Sequence, residues 1–341
     1  DYKVTGVQTC ALPIYIKKLI NMKVLVIQQR MGIGDMVIFL PYIHAISRKL
    51  QSKVTLLVKK NSRAKQLCVH DQCIDEIIHL ERGNKNLGKH DGWFGFLKLV
   101  KEIKEKNFDT VYIFNGSLRY LLLAKLCNIK NIYQYPLFVK KDNIVISAKN
   151  FTEKNLGETI STQPNIFLNQ NEIIDIKKKY NFNEEHKHVC IGFSASGPTK
   201  RWDVGKYLKL AETLNHKIPC KFYLCGGQKD EALFKVFLNS SIGKNCISFK
   251  DLEIKTALPI IKNCNAYIGN DTGWLHIASA LGLRCLALFM DSPVMAYGKY
   301  SKNISIIVPE GETEETTTHD TLGKDKISFE KVLENSLRLI N

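Results

Sequence analysis

The sequence predicts an α/β protein built from two doubly wound domains in tandem. Apolar, β-branched runs such as MKVLVIQQ at 22–29 alternate with amphipathic segments, which is typical of a parallel sheet covered by helices on both faces. The alternation stops in a polar, asparagine-rich stretch at 150–186 and restarts with HVCIGFS at 188–194. Glycine, hydroxyl and acidic residues follow several strands, at the turns where such folds bind ligands.

The elements of the first half follow from the spacing of their apolar residues. Continuous apolar runs bounded by polar residues predict strands, and apolar residues at helical spacing predict helices. The predicted strands are 22–29, 54–60, 74–80 and 108–115, and the predicted helices are 35–50, 93–107 and one near 117–127.

The second half repeats this pattern. We expect a ligand cleft between the two domains, at the carboxyl ends of their strands. The predicted series runs through 188–194, 204–215, 220–227, 228–239, 245–251, 253–264, 266–270, 273–282 and 284–290. The predicted divisions are an extension at 1–21, an N-terminal domain at 22–170, a C-terminal domain at 171–327 and a final helix at 328–341 that would pack on either domain.

The extension is expected to play no part in function. It lacks strand or helix periodicity and the basic segment of a signal peptide. VTGVQTCALPI, residues 4–14, looks like a translated sequencing adapter, so we expect the natural chain to start at Met22. A short disordered extension is the alternative.

The composition is typical of a globular protein, with 45% hydrophobic and 24% charged residues. No apolar run approaches the roughly 20 residues that a membrane-spanning helix needs. The ten cysteines are dispersed without zinc-site spacing, so we expect buried thiols in a reducing cytosol. The net charge of +16 predicts attraction to a polyanion, although solvated lysine-rich helix faces are an alternative explanation.

The first candidate turn is QQRMGIGDMV, residues 28–37. Gly32 and Gly34 would let the backbone turn tightly and approach a ligand closely. Asp35 would begin the next helix, either as a plain cap for backbone N–H groups or as a catalytic group. A dinucleotide-binding fingerprint is a rival interpretation, but Val37 replaces its third glycine, which leaves only a weak NADP alternative.

The second candidate turn is GFSASGPTKRWD, residues 192–203. The hydroxyls of Ser194 and Ser196 and the charge of Lys200 precede a predicted helix. Such donors beside a helix N-terminus can hold a diphosphate. A polar loop, with Trp202 filling the core, is the alternative.

The third candidate turn reads GNDTGWLHIASALG and begins at Gly269, which would supply the backbone turn. Asp271 or Thr272 would cap the following helix. The N–H groups of Thr272 and Gly273 would then be free to bind a phosphate at the positive end of the helix dipole. His276, one turn later, would either reach the same anion or make a structural hydrogen bond.

Together the three turns resemble glycosyltransferase family nine, the lipopolysaccharide heptosyltransferases. GIGDMVIFLP at 32–41 is similar to the family's first turn and helix, and GPTKRW at 197–202 to its middle motif. The stretch 269–282 matches its late signature, G-N-D-[ST]-G-x-x-H-x-A-x-A-L-G, at every position. The three motifs occur in the family's order across most of residues 22–290.

The resemblance implies a GT-B architecture, in which two Rossmann-like domains face each other across a cleft. The acceptor would bind mainly to the N-terminal domain and the nucleotide sugar to the C-terminal one. The family is inverting and requires no metal or cofactor, and this sequence offers no D-x-D cluster for a cation. ADP-heptose as donor and a lipopolysaccharide core as acceptor are the family defaults.

The resemblance also implies roles for single residues. Asp35 would remove the proton from the acceptor hydroxyl as general base. Asp271 would bind sugar hydroxyls or orient its turn. Glu231, in competition with Asp230, would bind the ribose or serve as a plain first-turn helix acid. The groups expected to meet the charge on the leaving phosphate are Lys200, the hydroxyls of Ser194 and Ser196, and the amides of Thr272 and Gly273.

The chain departs from the family after Phe289, where MDSPVMAYGKYS follows at 290–301. The acidic, threonine-rich stretch at 310–326 has no assigned place in the pattern. Either segment would lie near the donor site and would then influence which sugar is bound.

An anionic, membrane-held acceptor would suit the basic charge of the chain. We therefore expect a cytoplasmic protein that contacts the cytoplasmic face of the inner membrane, with no nucleic-acid partner. The alternatives are another nucleotide-sugar GT-B enzyme (a different transferase or an epimerase), an NADP-dependent oxidoreductase, and a nucleic-acid-binding protein supported by charge alone.

Overall fold

A computed structural model describes residues 22–30, 32–83, 88–138 and 143–341. The predicted extension at 1–21, with its proposed artefact, lies outside the described residues. None of the helices in the described ranges combines the length and the apolarity needed to cross a lipid bilayer.

The first half forms a five-stranded parallel sheet. Its strands are β1 (Val24–Gln28), β2 (Val54–Lys59), β3 (Ile74–Leu80), β4 (Thr110–Ile113) and β5 (Asn131–Gln134). Their order is β3-β2-β1-β4-β5, so the chain winds outward in both directions from β1. Every residue of β1 is buried, which explains why its sequence is a continuous apolar run.

Helices cover both faces of this sheet. They are α1 (Ile33–Leu50), α2 (Ala64–Leu67), α3 (Gly92–Lys104), α4 (Leu118–Leu126) and α5 (Ile144–Leu156). Helices α3 and α4 pack together over one face. Helix α1 contacts α5 and is buried from residue 36 to residue 47, since it lies between its own sheet and the second half of the protein.

The second half forms a six-stranded parallel sheet. Its strands are β6 (Lys187–Gly192), β7 (Cys220–Leu224), β8 (Cys246–Ser248), β9 (Ala266–Asn270), β10 (Arg284–Leu288) and β11 (Ile304–Ile307). Their order is β11-β10-β9-β6-β7-β8, and every pairing in the sheet is parallel. The doubly wound fold predicted for both halves is therefore confirmed.

The helices of the second half include several that the sequence pattern located well. They are α6 (Gln170–Lys179), α7 (Val204–Lys217), α8 (Glu231–Leu238), α9 (Ile254–Lys262), α10 (Gly273–Ala280), α11 (Val294–Tyr297) and α12 (Phe329–Ile340). Helix α12 packs against α7, β9 and β10, so the final helix covers the second sheet.

Six elements were missed by the sequence analysis: β5, β11, α5 and α6, and the short helices α2 and α11. The segment 150–186 is not a continuous polar connection, because α5 continues to Leu156 and α6 occupies part of it. Helix α6 has no buried residue of its own, so its contact with α9 produces no strong apolar stripe in the sequence.

The two halves are in direct contact through α1 and α10. A Cβ atom placed on Gly34 would lie 2.3 Å from the His276 ring, and one placed on Gly273 would lie 2.9 Å from the Ile33 side chain. The N-termini of the two helices therefore meet closely. This contact brings the turns after β1 and β9 together.

Candidate functional site in the interdomain cleft

A cavity of about 660 Å³ lies between the two halves. It has the size of a small-molecule site and lies where the strands of both sheets end, as expected for doubly wound folds. The first half contributes Ile33, Arg63 and Gln66. The second half contributes residues 194–196, 226–230, 250–254 and 272–274.

The turn after β9 presents two backbone donors to this cavity. Thr272 is the N-cap of α10, and its side-chain oxygen accepts the N–H of Trp274 at 3.2 Å. The N–H groups of Thr272 and Gly273 have no acceptor among the residues that the structure describes. Two free N–H groups at a helix N-terminus form a site suited to an anion.

Asn270, which the sequence analysis did not single out, fixes this turn against the turn after β6. It is fully buried. Its amide NH₂ donates to the carbonyl oxygens of Phe193 and Ser194 at 3.0 and 3.2 Å. Its Oδ1 accepts from the Trp202 N–H at 3.2 Å and from the Tyr207 hydroxyl at 2.8 Å. One amide therefore joins the second and third candidate turns.

The turn after β6 brings its serines, but not its lysine, to the cavity wall. Ser194 and Ser196 line the cavity, whereas Lys200 is not among the lining residues. Lys200 ends a short 3₁₀ turn and lies near Asp291. Burial alone would raise the pKa of Asp291, but hydrogen bonds from Thr199 and from backbone N–H groups, with the charge of Lys200, lower it overall.

Asp35 is held at the start of α1 by two donors. Its Oδ2 accepts the N–H of Gly32 at 3.1 Å, and its Oδ1 accepts from Arg30 Nε at 2.7 Å. The side chain of Asp35 is 15% exposed. Arg30 also donates to the Tyr297 hydroxyl at 3.0 Å, which links the first half to α11 of the second.

The pKa of Arg30 reflects this arrangement. Burial, the largest single effect, lowers the pKa of the guanidinium, but Asp35 and Tyr297 together outweigh it and raise the pKa overall. Burial likewise raises the pKa of the Tyr297 hydroxyl, and the charge of Asp35 adds to this. Arg30 therefore stays cationic and Tyr297 neutral, so the group that holds Asp35 keeps its charge.

His276 has the structural role that the sequence analysis left open, and the structure does not support its direct contact with an anion. The residue is only 3% exposed. Its Nδ1 lies 2.7 Å from the Tyr300 hydroxyl and its Nε2 lies 3.3 Å from Asp271 Oδ1. Because both ring nitrogens are occupied by the protein, His276 positions Asp271 beside the anion site.

The glycines of the predicted turns have packing roles, which corrects their assignment. Gly34 lies inside α1, and Gly269 lies inside β9, so neither forms a turn. A Cβ on Gly269 would come within 2.6 Å of the backbone of Gly192 on the neighbouring strand. Gly32 is the N-cap of α1 in an extended conformation, and Asp35 Oδ2 is 3.0 Å from its Cβ position. Close approach, rather than a special turn, requires small residues here.

The structure distinguishes the two candidate acids after β7. Asp230 lines the cavity and accepts the N–H of Gly227 at 3.0 Å. Glu231 does not line it and forms ion pairs with Lys235 at 3.2 Å and Lys250 at 4.0 Å. The geometry therefore favours Asp230 over Glu231 as a ligand-facing acid.

The segments after Phe289 lie close to the site. Residues 290–301 supply Tyr297 and Tyr300, which contact Arg30 and His276. The stretch 310–326 packs on this segment through hydrogen bonds from Leu322 N–H to Asp291 and from Gly323 N–H to the carbonyl of Met290.

Three residues of the site were missed by the sequence analysis, and two of them left a signal. Arg30 is a charged residue inside a glycine turn, and Asn270 is an amide at the end of a buried strand. A charged or amide side chain at either position needs a hydrogen-bonding partner, and this requirement can be recognised in the sequence. Tyr297 belongs to a segment without a recognisable motif, so only the fold reveals its contact with Arg30.

Proteins of known annotation resemble this chain. It is 30% identical over 178 residues to lipooligosaccharide heptosyltransferase 2 of Haemophilus ducreyi, a match that covers 49% of each protein. The chain spans about half the length of the first curated relatives that it matches.

Solved structures share the whole architecture. ADP-heptose lipopolysaccharide heptosyltransferase II of E. coli superimposes with a TM-score of 0.72 at 21% identity, covering 94% of this chain and 98% of that one. The E. coli heptosyltransferase WaaC with ADP gives 0.70 at 14% identity, covering 93% and 100%. These similarities confirm the GT-B fold.

The family model of glycosyltransferase family 9 (heptosyltransferase) matches residues 151–325, more than half of the chain. This range contains the turns after β6 and β9 and the cavity wall that they form. The chain therefore belongs to glycosyltransferase family 9, the heptosyltransferase family.

Proposed function

We propose that this protein is an inverting, metal-independent glycosyltransferase that moves heptose from ADP-heptose onto an anionic lipopolysaccharide core. The observation that carries the proposal is the pair of N–H groups at Thr272 and Gly273, which have no acceptor in the described part of the chain and lie on one cavity wall with Ser194 and Ser196. The relatives, which include heptosyltransferases and a heptosyltransferase structure with ADP, support the choice of donor.

The chemistry follows from where charge develops. The acceptor oxygen attacks the anomeric carbon as the bond to the diphosphate breaks, and the leaving nucleoside diphosphate takes the bonding electrons. N–H and hydroxyl donors that are already aimed at that group stabilise the transition state. In this proposal the amides of Thr272 and Gly273 and the hydroxyls of Ser194 and Ser196 supply them, so the reaction needs no cation or cofactor. The Ser194 hydroxyl, which donates to the carbonyl of Cys225 at 3.5 Å, would turn to the diphosphate.

Lys200 has a supporting part in the proposal. It stands beside Asp291, and the attraction of the diphosphate would draw its charge toward the donor. Asp271, held by His276, would accept hydroxyl groups of the sugar.

Asp35 is the proposed general base. Arg30 and the Gly32 N–H fix the orientation of its carboxylate, and its oxygens retain lone pairs that can accept the proton of the acceptor hydroxyl. Asp35 lies on the first half and the free N–H groups on the second. In this proposal the base and the leaving-group donors act from opposite halves, which suits attack from the face opposite the leaving group.

The test is release of nucleoside diphosphate from a panel of nucleotide sugars, with and without a lipopolysaccharide core acceptor. We expect ADP-heptose with acceptor to be turned over. Asp35→Asn should lower kcat by about 10²–10⁴-fold with donor affinity kept, while Lys200→Ala should weaken both affinity and rate. Glu212→Gln, an acid on the surface of α7, is the matched control.

Other results would contradict the proposal. Turnover retained in Asp35→Asn would remove Asp35 as base. Conversion of the donor without acceptor would favour an epimerase, and thermal stabilisation by NADPH but not ADP would favour an oxidoreductase.

We propose further that the protein works in the cytoplasm at the inner leaflet, where its acceptor is held.

A further inference from the structure

Strongly exposed apolar side chains are concentrated on one surface of the first half. Trp93 and Phe94 of α3 are 66% and 81% exposed, and Phe138 after β5 is 80% exposed. No other tryptophan or phenylalanine in the described ranges is as exposed. The α3/α4 surface, as we define it, consists of Trp93, Phe94, Leu97, Leu118, Leu122 and Phe138.

Contacts between the supporting elements bring the segments that carry these side chains together. The Arg119 guanidinium of α4 lies 4.7 Å from the centre of the Phe96 ring of α3 and donates to the carbonyl of His90 at 2.6 Å. The Phe138 N–H donates to the carbonyl of Gly116, just before α4 begins. The N-termini of α3 and α4 and the segment after β5 are therefore neighbours.

A basic border adjoins the apolar side chains. Lys98, Lys101 and Lys104 occupy the same exposed side of α3 as Trp93, and Lys125 is exposed beside Leu122 on α4. None of these four lysines forms an ion pair with another described residue. The nearest acid within α3, Glu102, is paired with Lys89 at 2.6 Å and with His90 at 3.2 Å. Glu105, exposed directly after α3, is a single acid beside these four lysines, so the border carries a net positive charge.

Aromatic side chains bordered by unpaired lysines are complementary to an anionic lipid bilayer. Tryptophan and phenylalanine insert at the headgroup level, and lysines extend to the phosphate groups around them. A protein partner that covers the apolar side chains would not need the unpaired lysines beside them. The net charge of +16 for the chain adds a long-range attraction of the same sign.

We propose that the α3/α4 surface docks on an anionic bilayer with Trp93 and Phe94 inserted among the headgroups. This proposal rests on the proposed function in one respect only: docking is useful because the acceptor is held in the membrane. Helices α3 and α4 follow β3 and β4, so their N-termini lie at the carboxyl edge of the sheet. The Tyr120 hydroxyl of α4 donates to Gln29, the neighbour of Arg30 that holds Asp35. Docking would therefore present the cleft edge of this lobe to the bilayer.

The sequence contains a built-in probe for this contact. Of its three tryptophans, Trp202 is fully buried and Trp274 is partly buried, so Trp93 is the one at the surface. Full-length protein should show a blue shift of tryptophan emission, and quenching by brominated lipid, with vesicles of phosphatidylcholine and phosphatidylglycerol. Vesicles of phosphatidylcholine alone should give a much smaller response. Trp93→Phe should abolish the spectral change but keep the binding.

Sedimentation with the same vesicles measures affinity directly. Phe94→Ser should weaken binding by roughly tenfold or more, as expected from the loss of one inserted phenylalanine. Leu238→Ser, at an exposed apolar position on α8, should leave it unchanged. Lys98→Glu with Lys101→Glu should abolish the preference for phosphatidylglycerol.

Several outcomes would overturn the proposal. The first is equal vesicle binding by wild type and Phe94→Ser, and the second is an unshifted Trp93 emission spectrum in vesicle-bound protein. The third is a dimer that Phe94→Ser dissociates, which would make the surface a contact between two copies of the chain. Transfer assays separate this idea from the proposed function. Phe94→Ser should keep transfer to a delipidated core acceptor and lose it on an acceptor in vesicles. If wild type transfers no sugar at all, the vesicle measurements still test the surface.

Discussion

At the scale of single residues, the site depends on buried polar groups whose hydrogen-bonding capacity is filled. Asn270 uses two donors and one acceptor atom to hold four groups from the turn after β6 and from α7. An unsatisfied buried polar group costs about 1–3 kcal/mol. The candidate anion site is therefore fixed by an amide that lies behind it.

Asn270→Ala should lower the free energy of unfolding by about 2–4 kcal/mol, because it leaves the Trp202 N–H and the Tyr207 hydroxyl without their partner. Urea denaturation measures this change. Asn171→Ala, at an exposed position on α6, should change stability by less than about 0.5 kcal/mol. If the two variants lose the same stability, Asn270 does not act as the link between the turns.

Arg30 and Asp35 show the same principle on the other lobe. A carboxylate near a helix N-terminus can rotate unless a second group fixes it, and Arg30 does so at 2.7 Å. Arg30 itself is positioned by Tyr297 from the second half. The orientation of the proposed base is therefore coupled to the relative placement of the two lobes.

At the scale of elements, regular strands and helices were predictable where burial imposes a period. β1 and β9 read as continuous apolar runs because both faces of each strand are covered. β5 was missed because none of its residues is buried, and β11 because only two of its four residues are buried, so neither gives a clear pattern. The turn after β9 and the start of α10 were predictable from their motif, whereas the Arg30–Tyr297 contact joins residues 267 positions apart and leaves no local trace.

The contact between α1 and α10 allows a direct test of element packing. Gly34→Ala would place a Cβ atom 2.3 Å from the His276 ring, which is buried and held at both nitrogens. Such overpacking costs about 1–3 kcal/mol, and we expect a lower melting temperature together with reduced transfer activity.

The matched control for this change is Gly205→Ala in α7. There the only contact of a new Cβ within 4 Å is the Asp203 carboxylate at 3.0 Å, and alanine favours a helix more than glycine does. We expect unchanged or higher stability. If Gly34→Ala melts at the same temperature as this control, the close contact of the two helices is not important for the fold.

At the scale of the whole molecule, residues from both halves line one candidate ligand site in the cleft. Ile33, Arg63 and Gln66 from the first half share a cavity with the anion-binding turn of the second. The Gln66 side chain also accepts the N–H of Ile254 at 2.8 Å, at the start of α9. A nucleotide that fills this cavity would therefore stabilise the contact between the two halves as well as the turns that line the cavity.

ADP should accordingly raise the stability of the whole chain without any divalent cation. A ligand that binds only the folded state at one hundred times its dissociation constant adds about 2.7 kcal/mol, which differential scanning calorimetry detects as a higher melting temperature. The same shift is expected in EDTA, because in this proposal N–H and hydroxyl groups meet the diphosphate. Ser196→Ala should reduce the shift, and Ser305→Ala, at an exposed position of β11, should leave it intact. Loss of the ADP effect on chelation would show that a cation neutralises the diphosphate, since in that case the free donors at Thr272 and Gly273 would not suffice.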